Sequence, residues 1–179
     1  NSTGPIVSVR FRSNEEIESQ GFVLLFSNFI DENLLKTTPQ PLHPLITGYQ
    51  LIENQNGIIK HPSQNATYDP MELVLWHIDQ RALNLDNVVK VTFLDMDIAQ
   101  CGAAEGECYC DGVAVYDGRI NPTNPLTDLS PRLTKRCGNY TENSVYSTGP
   151  VASVVFQSDS DDERSGFKLE YKAVARVNN

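Results

Sequence analysis

Four cysteines are the side chains of this sequence whose types and spacing point most directly to chemistry. Cys101, Cys108, Cys110 and Cys137 all lie within residues 101–137. An even number of grouped cysteines predicts two disulfides in an oxidising compartment, with three connectivities open. Zinc binding is the alternative, but zinc ligands usually come as C-x2-C pairs with a matching second pair, and no histidine lies near. We therefore predict disulfides.

Three acceptor sites for N-linked glycans accompany the cysteines. They begin at Asn1, Asn65 and Asn139, each followed two residues later by Ser or Thr. Such sites are used in secreted proteins, so glycosylation at these residues and a secreted, extracellular location are predicted together.

The histidines give no sign of catalysis. His43 lies among prolines, His61 precedes Pro62, and His77 stands in an apolar strand pattern. No G-x-S-x-G, P-loop or H-E-x-x-H motif surrounds them, and hydrolytic chemistry needs a nucleophile beside a base. We predict that the protein is not an enzyme and needs no organic cofactor.

The charge balance narrows the classes of partner. Lys and Arg total 14 against 23 Asp and Glu, a net charge of -9. Nucleic acids and anionic membranes bind clustered cations, so neither is expected as a partner. The longest apolar run, Phe22 to Phe26, is far shorter than the ~20 residues of a membrane span, which predicts no such span.

An internal repeat shows how the chain is organised. The stretch from Ser2 to Ser27 returns from Ser147 to Lys172 at a constant offset, 147 - 2 = 145. Each copy contains an alternating strand, an acidic loop and a second strand that opens with Gly-Phe, the pattern of a β-hairpin. Because a repeat fixes the size of the structural unit, the second copy is predicted to close a complete β domain.

This pattern divides the chain into three parts. We expect residues 1–27 to be the C-terminal hairpin of a preceding repeat, residues 28–47 to be a proline-containing linker, and residues 48–175 to be a complete domain. A two-stranded hairpin is marginal in water. Residues 1–27 therefore belong to a longer tandem array, pack on the complete domain, or swap into a neighbouring molecule.

The complete domain is predicted to be all-β. Short strand patterns alternate with Gly, Pro and Asn turns, and no amphipathic helix is evident. Such a sequence favours an antiparallel β-sandwich of jelly-roll type without a substantial helix.

Read in order, residues ~48 to 173 resemble a CUB domain. The resemblance depends on the order and spacing of these motifs: Gly57-x-Ile59-x-x-Pro62, Tyr68, Trp76-x-Ile78, Phe93-x-x-Met96-Asp97, Cys108-x-x-Asp111-x-Val113-x-Val115, Asp117-Gly118, Cys137-Gly138, Val154-x-Phe156-x-Ser158-Asp159 and Gly166-Phe167-x-x-x-Tyr171. The resemblance implies a jelly-roll sandwich that is extracellular, non-catalytic and used in tandem to bind proteins, often through calcium.

The resemblance also implies how the cysteines pair. The second family disulfide maps onto Cys108 and Cys137, which leaves Cys101 and Cys110 as an extra pair, although exchange of Cys108 with Cys110 stays open. The first family disulfide is missing. Val74 stands where one of its cysteines would be, and Gly48 lies near the place of the other.

A calcium site is implied only in part. The resemblance assigns ligands to Asp111 and Asp159, and Asp161 and Asp162 could add oxygens, but Ala99 occupies the family glutamate position. Glu105 or Glu107 could replace it. The alternative is that the acidic residues form a solvated turn and that no tight site exists. The N-terminal copy is expected to hold no ion.

These observations lead to two functional hypotheses. The first is a protein-interaction module of a tandem CUB array, whose acidic loops bind a basic residue of an extracellular protein, with calcium if it is held there; an adjacent CUB repeat is another possible partner. The alternative is a secreted structural or coat protein that self-associates into homo-oligomers through the N-terminal hairpin. A third possibility is the non-catalytic appendage of a secreted protease.

Overall fold

A computed structural model of the chain describes residues 45–64, 66–83, 86–101, 108–123, 130–139 and 143–176. Within these residues every regular element is a strand, which confirms the all-β prediction. None of them belongs to a helix long and apolar enough to cross a bilayer. The strands are β1 (Gly48–Ile52), β2 (Asn56–His61), β3 (Leu73–Asp79), β4 (Asn87–Ile98), β5 (Gly112–Asp117), β6 (Arg132–Arg136), β7 (Gly138–Asn139), β8 (Ser144–Tyr146), β9 (Val151–Gln157) and β10 (Gly166–Ala175).

The strands form two sheets, as the predicted sandwich requires. One sheet has the order β1-β3-β9-β5-β6, and the other has β2-β10-β4-β7, with β8 also paired to β4. Adjacent strands run antiparallel except for β1, which lies parallel to β3. The predicted β-sandwich is therefore confirmed, with one parallel pair at the edge of the first sheet. The prediction that the second copy of the repeat is a hairpin is wrong: β9 pairs with β3 and β5 in the first sheet, whereas β10 pairs with β2 and β4 in the second. The acidic loop between them crosses from one sheet to the other.

The core lies between the sheets because alternate residues of each strand face inward. In β10 the odd-numbered residues from Phe167 to Ala173 are buried while Lys168, Glu170 and Lys172 are exposed, which is the alternation of a strand with one solvated face. Trp76 and Phe156 each pack on Phe167, with ring centroids 5.7 Å and 5.6 Å away.

The two positions of the missing family disulfide are neighbours in the first sheet. Gly48 of β1 pairs in register with Val74 of β3. A Cβ atom added to Gly48 would lie 3.0 Å from Cγ1 of Val74. Packing of the valine methyl groups against glycine therefore occupies the space where the resemblance places a crosslink.

In the second copy of the repeat, steric constraints explain why the Gly-Phe pair begins with glycine. Gly166 has φ +87°, and a Cβ atom there would overlap the carbonyl oxygen of His61. Glycine alone combines this backbone conformation with such a close approach. Gly166 thus lets β10 begin directly beside the end of β2.

Several loops meet at one end of the sandwich. Leu73 and Gly112 both pair with Gln157, which brings together the starts of β3 and β5 and the end of β9. At the same end, the Tyr68 N–H donates to the Arg164 carbonyl oxygen at 3.1 Å. We call this region, with Asp111, Asp159, Asp161 and Asp162, the acidic end.

Candidate functional site

Asp111 lies at the centre of the acidic end and is fully buried. Its Oδ2 accepts a hydrogen bond from the Tyr68 hydroxyl at 2.5 Å, and its Oδ1 accepts one from the Asp159 N–H at 2.7 Å. Buried polar groups are costly unless they are hydrogen-bonded. Two neutral donors, one on each oxygen, therefore hold this carboxylate inside the protein.

Tyr68 extends the same network to the end of β4. It is 1% exposed, and its hydroxyl oxygen accepts a hydrogen bond from the Ala99 N–H at 3.1 Å. Burial raises the pKa of the Tyr68 hydroxyl, and the Ala99 hydrogen bond opposes part of that shift. Burial also raises the pKa of Asp111, against the hydrogen bonds from Tyr68 and the Asp159 N–H. The network thus joins the loops that carry Tyr68, Ala99, Asp111 and Asp159.

Asp159 is fixed through three of its groups. Besides its N–H bond to Asp111, its carbonyl oxygen accepts the Met71 N–H at 2.7 Å, and its Oδ1 accepts the Asp161 N–H at 2.9 Å. The Asp159 side chain is partly exposed. Its carboxylate therefore reaches the surface from a backbone that its neighbours hold in place.

Asp161 and Asp162 are exposed, and neither carboxylate is hydrogen-bonded to Asp111, although the Asp162 carbonyl oxygen accepts a longer bond, 3.4 Å, from the Tyr68 hydroxyl. The Asp162 carboxylate accepts hydrogen bonds from Nε and Nη2 of Arg164 at 2.8 Å and 2.7 Å, and this guanidinium holds the pKa of Asp162 below its usual value. Asp161 accepts only a longer bond, 3.3 Å, from the Ser160 hydroxyl. Of the four candidate ligands, the structure brings Asp111 and Asp159 into contact and turns Asp162 to Arg164.

Both disulfides lie at this end of the domain. Cys108 pairs with Cys137 and Cys101 with Cys110, at Cα–Cα separations of 5.7 Å and 5.8 Å. Of the three possible connectivities, this is the one that the resemblance implied. All four thiols are oxidised in these bonds, so they are not zinc ligands. The Cys101–Cys110 sulfurs lie within 4.8 Å of an Asp159 carboxylate oxygen, so this disulfide stands beside the acidic loop.

The described residues bring together few of the side-chain oxygens that a calcium ion takes. Calcium takes six to eight oxygen ligands. Among the residues described, the one group of three potential ligand side chains within 4.8 Å of one another is Cys101, Cys110 and Asp159, and its sulfurs are bonded to each other. Ala99 supplies no side-chain oxygen and is buried. Glu105 and Glu107, the possible replacements, lie outside the described residues.

Two exposed side chains at the acidic end were missed by the sequence reasoning. Tyr109 is 76% exposed and Met71 is 69% exposed. Tyr109 stands between two buried, disulfide-bonded cysteines, so alternation alone could have predicted that it points outward. Met71 has φ 58° and is bound to Asp159 through its N–H, which no pattern in the sequence indicated.

The two described histidines contact other side chains of the domain and are not arranged for catalysis. His61 Nε2 lies 2.7 Å from a Glu72 carboxylate oxygen, and its ring contacts those of Trp76, Phe156 and Phe167. His77 is fully buried, with its Nδ1 3.1 Å from the Tyr49 hydroxyl. Neither presents an exposed base beside a nucleophile. His43 lies outside the described residues.

The predicted glycosylation sites and N-terminal segments are only partly within the described residues. Asn139 is exposed on β7, where a glycan would have room. Asn1 and Asn65 lie outside the described residues. Residues 1–27, on which the self-association alternative depends, and nearly all of the linker at 28–47 lie outside them too.

Comparison with known proteins gives one consistent family. The family model for the CUB domain matches residues 47–171. Human procollagen C-endopeptidase enhancer 1 is 28% identical over 176 residues, which cover 97% of this chain and 34% of that protein. The chain thus spans about a third of the length of this relative.

Solved structures give the same fold. The full extracellular region of zebrafish Gpr126/Adgrg6 matches with a TM-score of 0.55 at 26% identity, over 70% of this chain and 14% of that chain. The MASP-1 CUB2 domain bound to Ca2+ matches with a TM-score of 0.54 at 19% identity, over 69% of this chain and 96% of that one. At that identity, the second likeness concerns the fold alone.

Proposed function

This chain belongs to the CUB domain family, and on that premise we propose that it is a non-catalytic extracellular protein-interaction module from a tandem CUB array. The extracellular location is supported by two disulfides and by the likeness to the extracellular region of zebrafish Gpr126/Adgrg6. Cysteine pairs persist in oxidising compartments.

The tandem arrangement is supported by the repeat and by the extent of one alignment. The match to procollagen C-endopeptidase enhancer 1 covers 97% of the chain, so it includes most of the residues that precede the CUB match at 47–171. We propose that residues 1–27 close a preceding repeat, that residues 28–47 link the two units, and that residues 48–175 are the second, complete domain.

The proposed binding surface is the acidic end, and the contact that carries this proposal is the bond between buried Asp111 and the Asp159 N–H. This bond holds the loop that carries Asp159 from its buried side, while the Asp159 carboxylate and Asp161 stay accessible. Exposed Tyr109 and Met71 lie on the adjoining loops. Binding surfaces commonly combine a fixed backbone with aromatic and Met side chains.

A basic side chain of a partner protein suits this surface. The carboxylates would pair with its ammonium or guanidinium group, and Tyr109 offers a ring face for a cation or for the apolar stem of Lys or Arg. Because protein contacts already hold Asp111 and Asp159, we propose that this surface forms without calcium.

The test is calorimetric titration with a synthetic peptide in which lysine alternates with glycine. The double variant Asp159→Asn/Asp161→Asn should bind about fivefold more weakly or worse, because both lost carboxylates face the peptide. Tyr109→Ala should weaken binding without changing the charge.

The matched control is Glu53→Gln/Asp86→Asn, which removes two exposed carboxylates from the opposite end of the sandwich. Each double variant changes the net charge from -9 by the same two units. Equal losses in the two double variants would show that the peptide senses only overall charge, and the acidic end would then not be the binding surface.

A further inference from the structure

Four of the five lysines that the structure describes lie on one face of the molecule, the outer face of the second sheet. They are Lys60 on β2, Lys90 on β4, and Lys168 and Lys172 on β10; the fifth, Lys135, is on β6. We call these four residues, with Arg176 just beyond β10, the lysine face. A chain with a net charge of -9 thus carries a concentrated cationic surface.

The strand register places these lysines directly beside one another. Lys168 pairs with Lys60 across β10 and β2, and Lys172 pairs with Lys90 across β10 and β4. In-register partners of antiparallel strands have side chains on the same face about 4.5 to 5.5 Å apart at Cβ. Like charges at that distance destabilise a sheet. Two such pairs on one face therefore lower the stability of the fold, so stability alone does not explain their presence.

The acidic neighbours of the face are few. Glu170 lies between Lys168 and Lys172 on β10, and Asp95 pairs in register with Lys168. Within the described residues, no ion pair joins either carboxylate to a lysine of this face. Lys90 lies over the Tyr146 ring, 5.9 Å from its centroid. The ammonium groups therefore remain available to an external anion.

Three cations recur at even intervals along β10 and just beyond its end. Lys168, Lys172 and Arg176 recur every fourth residue, which at ~3.4 Å per residue sets a track about 27 Å long. Arg176 donates to the Thr148 carbonyl oxygen and keeps further N–H groups for a ligand, since a guanidinium has five.

Two shallow cavities lie on this face, one near each end of the track. One, of about 430 Å³, is lined by Lys90, Tyr146 and Arg176 among others. The other, of about 250 Å³, is lined by Lys60, Lys168 and Ser165 and also by Asp95, so its two lysines outnumber its one acidic group. Each could receive a charged group of a ligand that lies along β10.

We propose that the lysine face binds a linear sulfated polysaccharide. A repeating chain of sulfate groups matches a row of cations separated by regular intervals. A folded protein is a poorer match because interface cores are depleted in Lys and enriched in aromatic and apolar side chains. The large aliphatic side chains exposed on this sheet are few among the described residues: Ile58 on β2, 50% exposed, and Leu94 on β4, 38% exposed.

The experiment measures binding of the full chain to immobilised heparin near physiological salt. We expect retention that falls steeply as salt is raised, because exposed charges are screened. Lys168→Gln/Lys172→Gln should weaken binding by about tenfold or more, as each cation near an anionic surface contributes to attraction.

The matched control is Arg119→Gln/Arg132→Gln, which removes two exposed cations outside the lysine face. Both double variants lower the net charge equally, so the control should retain heparin binding within about twofold. Thermal melts of both variants would show that each is folded. Absence of heparin binding by the native chain, or equal losses in the two variants, would overturn the proposal.

Competition distinguishes the sources of the ligand. Soluble heparan sulfate and chondroitin sulfate identify which sulfated chain binds better, and either result supports the proposal. Equal or tighter binding to phosphatidylserine vesicles would instead assign the face to membranes. Self-association that Lys168→Gln/Lys172→Gln abolishes, without heparin binding, would assign it to a second copy of the chain. Both of these results would overturn the proposal.

Discussion

The acidic end and the lysine face are both charged, but they satisfy their charges in opposite ways. At the acidic end, Asp111 takes hydrogen bonds from Tyr68 and the Asp159 backbone, and Asp162 pairs with Arg164. On the lysine face, like charges stand side by side across the strands. Charge that the protein satisfies internally positions loops, whereas charge left unpaired is available to a partner.

This contrast separates two kinds of residue within the acidic end as well. Asp111 is buried and supports the loop, while Asp159 and Asp161 reach the surface. A substitution at Asp111 should therefore change stability, and substitutions at the surface carboxylates should change binding.

Asp111→Ala should break the acidic end most severely. The change leaves the buried Tyr68 hydroxyl and the Asp159 N–H without their acceptor, and each unsatisfied buried group costs roughly 1 to 3 kcal/mol. We expect the free energy of unfolding, measured with urea, to fall by about 2 to 4 kcal/mol.

Asp161→Ala is the control for this change because its carboxylate is exposed and supports no buried donor. Its free energy of unfolding should stay within about 0.5 kcal/mol of the native chain. Similar losses for Asp111→Ala and Asp161→Ala would show that the buried network does not support the loop.

The pH dependence of stability should differ in sign between Asp111 and Asp79. Burial raises the pKa of Asp111, so the folded state binds its proton more tightly than the unfolded state does. The stability that Asp111 contributes is therefore fully present below the unfolded pKa and is lost as pH rises through the folded pKa. Urea unfolding should show a larger advantage of native chain over Asp111→Asn near pH 4 than at pH 7.

Asp79 supplies the opposite case. Burial would raise its pKa, but hydrogen bonds from Arg81 outweigh that effect and lower it. Its stabilising contribution is thus present above the unfolded pKa and is lost as pH falls through the folded pKa. The advantage of the native chain over Asp79→Asn should shrink on acidification. If the native chain's advantage over Asp111→Asn and its advantage over Asp79→Asn changed with pH in the same direction, the two carboxylates would not be held in the opposite ways described.

The lysine face should show the smallest effect on stability. Lys172→Gln removes the like-charge contact with Lys90 across β10 and β4. Because like charges directly opposite are unfavourable, the free energy of unfolding should rise by a few tenths of a kcal/mol at low salt, and the gain should vanish at high salt. A loss of stability would mean that Lys172 has a structural partner.

Much of the fold could be read from the sequence because its signals are local. The repeat predicted the two closing strands, β9 and β10, and the order of the motifs predicted the sandwich. The repeat did not show that these two strands lie in different sheets. The approach of Asp111 to Asp159 also followed from the resemblance. The parallel pairing of β1 with β3 did not, because it depends on a contact between distant strands and has no local pattern.

The charges at the two surfaces were harder to predict. The pairing of Asp162 with Arg164 depends on side-chain direction in a loop where Asp162 has φ 63°. The lysine face depends on the register of three strands far apart in the sequence. Net charge argued against clustered cations, yet it sums over the chain and is silent on how cations are distributed across one sheet.

We infer that protein contacts, rather than an ion, fix the acidic loops, and a thermal melt of the whole chain tests this inference. The midpoint is measured in excess calcium and again in chelator. A site of ~10^-4 M affinity in about 10 mM calcium would add roughly 2.7 kcal/mol and raise the midpoint by several degrees. We expect superimposed curves. A rise in calcium that Asp159→Ala abolishes would contradict it and make Asp159 a metal ligand.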